Sequence, residues 1–257
     1  MTRHKAIAAL LCAAALTACD YEKNAVQDIT VAAPASGIRF FNFGVGAPGV
    51  NFYANDTKMT AISSTTGAES TTGVNSGGVG SGGFYSGITP GSYSFSARIA
   101  AATDKDLAIT AVTSTIADAK YYSYYVSGFY DAATKKADGF VVEDAFPATI
   151  DFSAAYVRFV NAISNSTPQA LFVKTATGPE LPVGGAVAYK AGGAFVAIPS
   201  GVYDLTTRTV GSSTTAIART GVSFLSGRVY TIGSRGDMTI TSTTAATRPQ
   251  LDFTANR

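Results

Sequence analysis

Histidine and cysteine are nearly absent from this chain of 257 residues. Its one histidine is His4, and its two cysteines are Cys12 and Cys19. A chain this poor in histidine lacks the usual general base near neutral pH, the Ser/His and Cys/His nucleophilic pairs, and most zinc or copper sites. We therefore expect no enzyme, no catalytic residue, no metal site and no cofactor.

The first 19 residues have the layout of a bacterial lipoprotein signal peptide. Arg3 and Lys5 precede an apolar segment, residues 6–16, that is too short to span a bilayer. The segment ends in the lipobox Leu16-Thr17-Ala18-Cys19, which predicts a signal peptide over residues 1–18 and lipidation of Cys19. Ordinary cleavage nearby, leaving a free thiol, is the alternative. Three acyl chains on Cys19 would anchor the protein stably to a membrane of the bacterial cell envelope, facing the periplasm or exposed at the cell surface.

The mature chain would lose several chemically important side chains with its signal peptide. Cys19 would be its only cysteine, so no intramolecular disulfide could form. The loss of Arg3 and Lys5 reduces the 19 cationic side chains to 17, which equals the 17 acidic ones. A net charge of zero disfavours a nucleic-acid partner, because such partners require a basic surface.

Three segments of the first part of the chain recur, in the same order, in the second part. The matched pairs are residues 38–42 with 157–161, residues 82–93 with 192–203, and residues 120–123 with 228–231, and Arg98 falls on Arg208. This repetition predicts two copies of one domain, over residues 38–148 and 155–253, after a lipidated tether over residues 19–37.

Each copy consists of short runs of alternating apolar and polar residues, rich in Val, Ile, Tyr, Phe and Thr and interrupted by glycine and proline. This pattern predicts strands. We expect an all-β fold of two tandem antiparallel β-sandwiches of the immunoglobulin-like type, with a small barrel as the alternative. The Gly/Ser/Thr tract of residues 63–83 is interpreted as a mobile loop, and its glycines lack the Lys-Ser/Thr of a phosphate-binding loop.

The repeated segments also carry a family resemblance. Residues 157–162, the segment Ile198-Pro199-Ser200-Gly201-Val202-Tyr203, and residues 227–231 resemble the bacterial domain-of-unknown-function family 4397 (DUF4397). Residues 47–53 and 119–122 of the first copy fit the same pattern, so the resemblance covers nearly all of the mature chain in tandem. It implies a secreted or surface β-domain and brings no established reaction.

The densest aromatic stretch, residues 121–130, supplies a candidate binding surface. Comparison with residues 229–233 places Tyr122 and Tyr124 in the core. The opposite face then carries three aromatic residues, namely Tyr121, Tyr125 and Phe129. An exposed aromatic row could stack on a sugar or seat a protein partner, whereas the alternative is that this face packs against the other domain or a loop.

Repeated arginines form a second candidate. Arg39 matches Arg158 and Arg98 matches Arg208, which would suit an anionic ligand. A repeated arginine is more commonly a charge at a strand edge or a structural partner of a carboxylate, such as Asp118 or Asp204.

The acidic residues of interest fall in two groups, residues 104–106 and the pair Glu143 and Asp144. Neither group has the number of ligands that calcium requires, so both are interpreted as solvated turns. The pair could also serve a glycan-processing enzyme of the envelope, since glycosidases need no histidine. Adjacent carboxylates on a strand point to opposite faces, however, and the leading hypothesis is a non-enzymatic binding or scaffolding role towards a protein or a polysaccharide.

Overall fold

The computed structural model describes residues 35–60 and 71–256, and the account below is confined to them. These residues form β-strands and one 3₁₀ turn, Gly80–Gly83, with no α-helix, so the prediction of an all-β fold is confirmed. No helix in these two ranges is long and apolar enough to cross a membrane. The predicted signal peptide, Cys19 and most of the tether lie outside the described residues.

The described residues of the first half form nine strands. They are β1 (Ser36–Asn42), β2 (Val50–Ala54), β3 (Thr57–Lys58), β4 (Gly78–Val79), β5 (Ser86–Ile88), β6 (Gly91–Ile99), β7 (Ala108–Ile116), β8 (Tyr121–Asp131) and β9 (Lys136–Glu143). One open sheet, called the first inner sheet, has the order β4-β1-β8-β9, with β5 also paired to β1. The other, the first outer sheet, has the order β3-β2-β6-β7.

The second half also contains nine strands. They are β10 (Ala154–Asn161), β11 (Gln169–Lys174), β12 (Glu180–Val187), β13 (Ala191–Gly192), β14 (Val196–Pro199), β15 (Gly201–Thr209), β16 (Ile217–Phe224), β17 (Val229–Arg235) and β18 (Gln250–Ala255). The second inner sheet has the order β13-β10-β17-β18, with β14 paired to β10, and the second outer sheet has the order β12-β11-β15-β16. Strand for strand, the second half repeats the pairings of the first.

Each half buries a core between its inner and outer sheets. Phe40, Phe52 and Tyr124 belong to the first core, and Phe159 and Leu205 belong to the second. The open sheets that enclose these cores are consistent with a β-sandwich. Because side chains alternate along a strand, only every second residue of β1 or β10 can reach its own core.

A third apolar cluster joins the two halves. Phe41, Tyr125 and Phe140 of the first inner sheet pack with Val160 and Ala162 of the second half. The two inner sheets therefore meet through the faces that point away from their own cores, and both faces of β1 are buried along its whole length. By their contacts, all the described residues form one compact unit.

The expectation of purely antiparallel sheets is wrong at one strand pair in each half. β1 runs parallel to β8, and β10 runs parallel to β17. In each case the chain segment that connects the two strands passes through the outer sheet. Such a crossover connection brings the later strand beside the earlier one in the same direction.

The described part of the glycine-rich tract contains a strand and a 3₁₀ turn, whereas the sequence predicted a mobile loop. β4 pairs with the end of β1, and the 3₁₀ turn follows it directly. Gly80 is buried there, and a Cβ atom on it would lie 2.9 Å from Thr60 and 3.3 Å from Phe40. Glycine thus permits a close approach of this segment to β1, a role that composition alone does not reveal.

Candidate functional site

Two arginines are buried at the interface between the inner sheets. Arg39 of β1 is 0% exposed and Arg158 of β10 is 2% exposed. Each sits opposite a hydroxyl residue of the parallel neighbouring strand, Arg39 opposite Ser123 and Arg158 opposite Thr231. In each pair the arginine Nε donates to the hydroxyl oxygen across 3.0 Å. The repeated arginines thus have matching surroundings in the two halves.

Asp144, the residue that follows β9, supplies the carboxylate between these arginines. Its side chain is fully buried and forms an ion pair with Arg158, while its second oxygen lies 3.7 Å from Nε of Arg39. Ser123 donates a hydrogen bond of 2.7 Å to this second oxygen, and the hydroxyl of Tyr85 donates to it as well. The interpretation of Asp144 as part of a solvated turn is therefore wrong.

An aromatic ring covers each arginine. The guanidinium carbon of Arg39 lies 4.7 Å from the centre of the Tyr85 ring, and that of Arg158 lies 4.8 Å from the centre of the Phe195 ring. These rings occupy matched positions in the repeat. Burial raises the pKa of the Tyr85 hydroxyl above its ordinary value, and the neighbouring Asp144 carboxylate raises it further. Tyr85 is thus held as a neutral hydrogen-bond donor.

Asn256 occupies the position in the second half that Asp144 occupies in the first. The backbone N–H of Asp144 donates to the carbonyl of Tyr121, and that of Asn256 donates to the carbonyl of Val229, which is the matched residue. The side-chain amide of Asn256 donates to Thr231 across 3.1 Å. The second half therefore has a neutral amide where the first half has a carboxylate.

This difference leaves the buried cluster with an excess of positive charge. Arg39 and Arg158 contribute two cations, and Asp144 contributes the single carboxylate that contacts them. Nη1 of Arg158 donates to the carbonyl of Glu143 across 2.9 Å, whereas Nη1 of Arg39 has no hydrogen-bond partner among the described residues. A buried cation that is incompletely paired favours an anion nearby.

A groove of about 450 Å³ opens beside the cluster. One wall is β18, the edge strand of the second inner sheet, and the other is β4 with the 3₁₀ turn of the first half. Tyr85 and Asn256 line it next to the cluster, and the exposed side chain of Arg228 lies at its border. The groove is thus shared by the two halves.

The predicted aromatic row does not form an exposed surface. Tyr122 and Tyr124 lie in the core, as predicted. Tyr125 is only 1% exposed, because it is stacked between Phe41 and Phe140 at ring distances of 4.5 and 5.0 Å. This is the alternative in which the face packs against the other half.

The two ends of the predicted row are separate from each other. Tyr121 is partly buried and contacts the rings of Tyr85 and Phe146. Phe129, at 47% exposure, is the accessible member. The three aromatic residues therefore cannot bind one ligand together.

The other predicted residues have different partners from those expected. Arg98 pairs with Asp56 and lies over the Tyr53 ring, while Arg208 pairs with Glu180 and lies over the Phe172 ring. Asp118 accepts from the backbone of Ala119, and Asp204 accepts from that of Gly221, so neither is the carboxylate that neutralises a repeated arginine.

Glu143 and Asp144 do not act as a pair. Glu143 is exposed and forms an ion pair of 2.9 Å with Lys120, whereas Asp144 is buried between the arginines. Asp104 pairs with Lys135, and Asp106 accepts from Tyr53. Residues 35–60 and 71–256 contain no group of three or more His, Cys, Asp or Glu side chains that could hold a metal ion.

Comparison with known proteins adds no relative from which a role could be transferred. A scan against models of protein families finds no match to the chain, and a search of curated proteins finds no similar sequence.

Proposed function

We propose that this protein is a lipid-anchored protein of the bacterial cell envelope, with a non-enzymatic binding or scaffolding role towards a protein or a polysaccharide. The lipobox that ends at Cys19 supports the anchor. The absence of histidine after His4 supports a role without acid–base catalysis near neutral pH. The resemblance to DUF4397, which implies a secreted or surface β-domain, agrees with both.

The interface between the inner sheets is the observation that carries the scaffolding role. We propose that residues 38–148 and 155–253 are two immunoglobulin-like sandwiches. They share the apolar cluster around Tyr125 and the ion pair of Asp144 with Arg158. Two halves joined in this way hold their outer surfaces and the shared groove in one fixed geometry. A fixed geometry suits recognition of a partner, because little conformational freedom is lost on binding.

The anchor is tested by metabolic labelling with a palmitate analogue. Wild type and Cys12→Ser, which alters the other cysteine, should incorporate the label, and Cys19→Ser should lose it. An unlabelled wild-type chain would contradict lipid anchoring.

Protease treatment of intact cells tests where the protein acts. Digestion of the mature chain, with a periplasmic control protein intact, would favour capture of a partner at the cell surface. Full protection would favour a scaffold on the periplasmic side. A soluble chain in the fraction that contains no membranes would contradict both.

A further inference from the structure

The acidic residues at the end of β9 have uncharged counterparts at the end of β18. Glu143 is opposite Tyr122 in the first inner sheet, and Ala255 is opposite Tyr230 in the second. Since Tyr122 and Tyr230 are matched residues of the repeat, Ala255 occupies the place of Glu143. Asn256, the next residue, occupies the place of Asp144.

The cations that face these positions are present in both halves. Lys120 pairs with Glu143 across 2.9 Å. The matched cation of the second half is Arg228, which forms no ion pair with any described residue, since Ala255 offers it no carboxylate. The second half thus has the matched cation without a matched acid.

The same imbalance occurs in the buried cluster. Arg158 and Arg39 share the one carboxylate of Asp144, Asn256 adds no second one, and Nη1 of Arg39 has no hydrogen-bond partner among the described residues. Arg228 and Asn256 both line the groove between β4 and β18. An anion in this groove would be attracted directly by Arg228 and, through the protein interior, by the excess charge behind Tyr85.

In the first half, an aromatic residue follows the two acids. After Glu143 and Asp144 the chain continues into Phe146, whose ring lies 5.5 Å from that of Phe195 and 5.4 Å from that of Tyr121. Phe195 belongs to the second half, and its match in the first half is Tyr85, which lines the groove. An aromatic side chain that follows two carboxylates therefore has a template within this molecule.

We propose that the groove between β4 and β18 binds an acidic segment of a partner polypeptide, with adjacent carboxylates followed by an aromatic residue. A carboxylate of the segment pairs with Arg228, to which Ala255 offers no acid, and the aromatic ring packs beside Tyr85. β18 is an edge strand, a place where an extended segment can add to a sheet, although the carbonyl of Leu251 already accepts from Arg219. This inference rests on the proposed binding role and assigns it a site and a class of partner.

The test is fluorescence polarisation with the full mature lipoprotein in detergent micelles. The probe is a labelled peptide with the sequence of residues 139–148, which contains Glu143, Asp144 and Phe146. One control peptide has Gln and Asn in place of its two acids, and another has Ala in place of Phe146 while it keeps Phe140. Saturable binding of the probe, weakened at least about tenfold in both control peptides and reduced by added salt, is expected.

Two variants test the site itself. Arg228→Ala removes the exposed cation, and Ala255→Glu gives Arg228 the internal partner that Lys120 has. Both should weaken binding of the probe by about tenfold or more. Lys174→Ala, which alters an exposed lysine of the second outer sheet, should bind as wild type does. Since residues 174, 228 and 255 are exposed, equal unfolding midpoints should verify that all variants are folded.

Several results would overturn the proposal. If the peptide with Gln and Asn in place of its acids binds as tightly as the probe, charge does not contribute to binding. If Arg228→Ala and Ala255→Glu bind the probe with wild-type affinity, the groove is not the binding site. Displacement of the probe by polygalacturonate, together with full binding of the peptide that lacks Phe146, would indicate a polysaccharide site instead. Palmitate labelling of Cys19 is independent of all these results, so failure of the groove is distinguishable from failure of the anchor.

Discussion

Asp144 and Arg158 form a buried ion pair that joins the two halves of the chain. Asp144 ends the first inner sheet, Arg158 lies within the second, and their side chains are 0% and 2% exposed. The pair therefore belongs to the contact of one half with the other. Both side chains are shielded from solvent, so each charge depends on the other for compensation.

Asp144→Asn should destabilise the protein strongly. The substitution leaves two buried guanidinium groups without a carboxylate, and removing one partner of a buried pair costs about 3–5 kcal/mol. Urea denaturation at pH 7 measures the change in the free energy of unfolding.

Glu143→Gln is the matched control, because it changes the adjacent acid, which is exposed and pairs with Lys120. We expect little change in stability for it. Equal effects of the two substitutions would contradict the role assigned to Asp144.

The alternation of residues along β8 predicted which face of this strand points into the core, but it did not predict that the opposite face is buried as well. Alternation along β8 correctly placed Tyr122 and Tyr124 in the core. It left Tyr125 on the opposite face, and alternation cannot tell whether that face meets water or another sheet. The recurrence of Arg39 and Arg158 did signal a common role. Their partner Asp144 lies outside the repeated segments and is distant in sequence from Arg39, so only the three-dimensional structure could identify it.

One weak signal in the sequence did point to the packing of Tyr125. The matched residue of the second half is Gly233, and a Cβ atom there would lie 2.9 Å from the ring of Phe43. A large residue in one half and glycine in the other are complementary when the two faces pack together. Two separate domains with free surfaces would not require this difference.

Tyr125→Ala should therefore be much more damaging than Phe129→Ala. Tyr125 lies in a stack with Phe41 and Phe140, and truncation of a buried aromatic residue costs about 3–5 kcal/mol. Phe129 is 47% exposed, so its truncation should change the free energy of unfolding by roughly 0.5 kcal/mol or less. Thermal or urea unfolding of both variants measures the contrast. Similar losses would show that Tyr125 does not hold the halves together.

Tyr85→Phe makes position 85 identical to Phe195 and tests the hydrogen bond to Asp144. Loss of a hydrogen bond to a charged group should cost about 1.5–3 kcal/mol at pH 7. The pKa of Tyr85 is raised in the folded state, chiefly by burial, so the folded protein favours the neutral hydroxyl. The stability that this hydroxyl contributes is full below the ordinary tyrosine pKa of about 10 and declines as the pH rises above it.

Urea denaturation of wild type and Tyr85→Phe between pH 7 and pH 11 checks this dependence. The difference between their free energies of unfolding should be largest near pH 7 and should shrink above about pH 10. A difference that stays constant over the whole range would show that ionisation of Tyr85 is not linked to folding.

Asn256→Asp should stabilise the protein, although it places a second carboxylate close to Asp144. In the described part of the chain, the buried cluster has two cations and one carboxylate, and Nη1 of Arg39 has no hydrogen-bond partner there. A carboxylate at position 256, which lies beside Tyr85 and Thr231 of the cluster, would balance this charge, so we expect a gain of about 1.5 kcal/mol.

The double variant Asp144→Asn/Asn256→Asp separates charge balance from position. It transfers the single carboxylate from one half to the other while the total charge stays the same. If the cluster requires an acid between its arginines, the double variant should be more stable than Asp144→Asn alone. Its change in the free energy of unfolding should also differ from the sum of the two single changes by more than about 0.3–0.5 kcal/mol, the range within which independent substitutions add. A double variant that is as unstable as Asp144→Asn in urea denaturation would mean that position 256 cannot neutralise Arg39. The matched places of Asp144 and Asn256 would then be equivalent in backbone only.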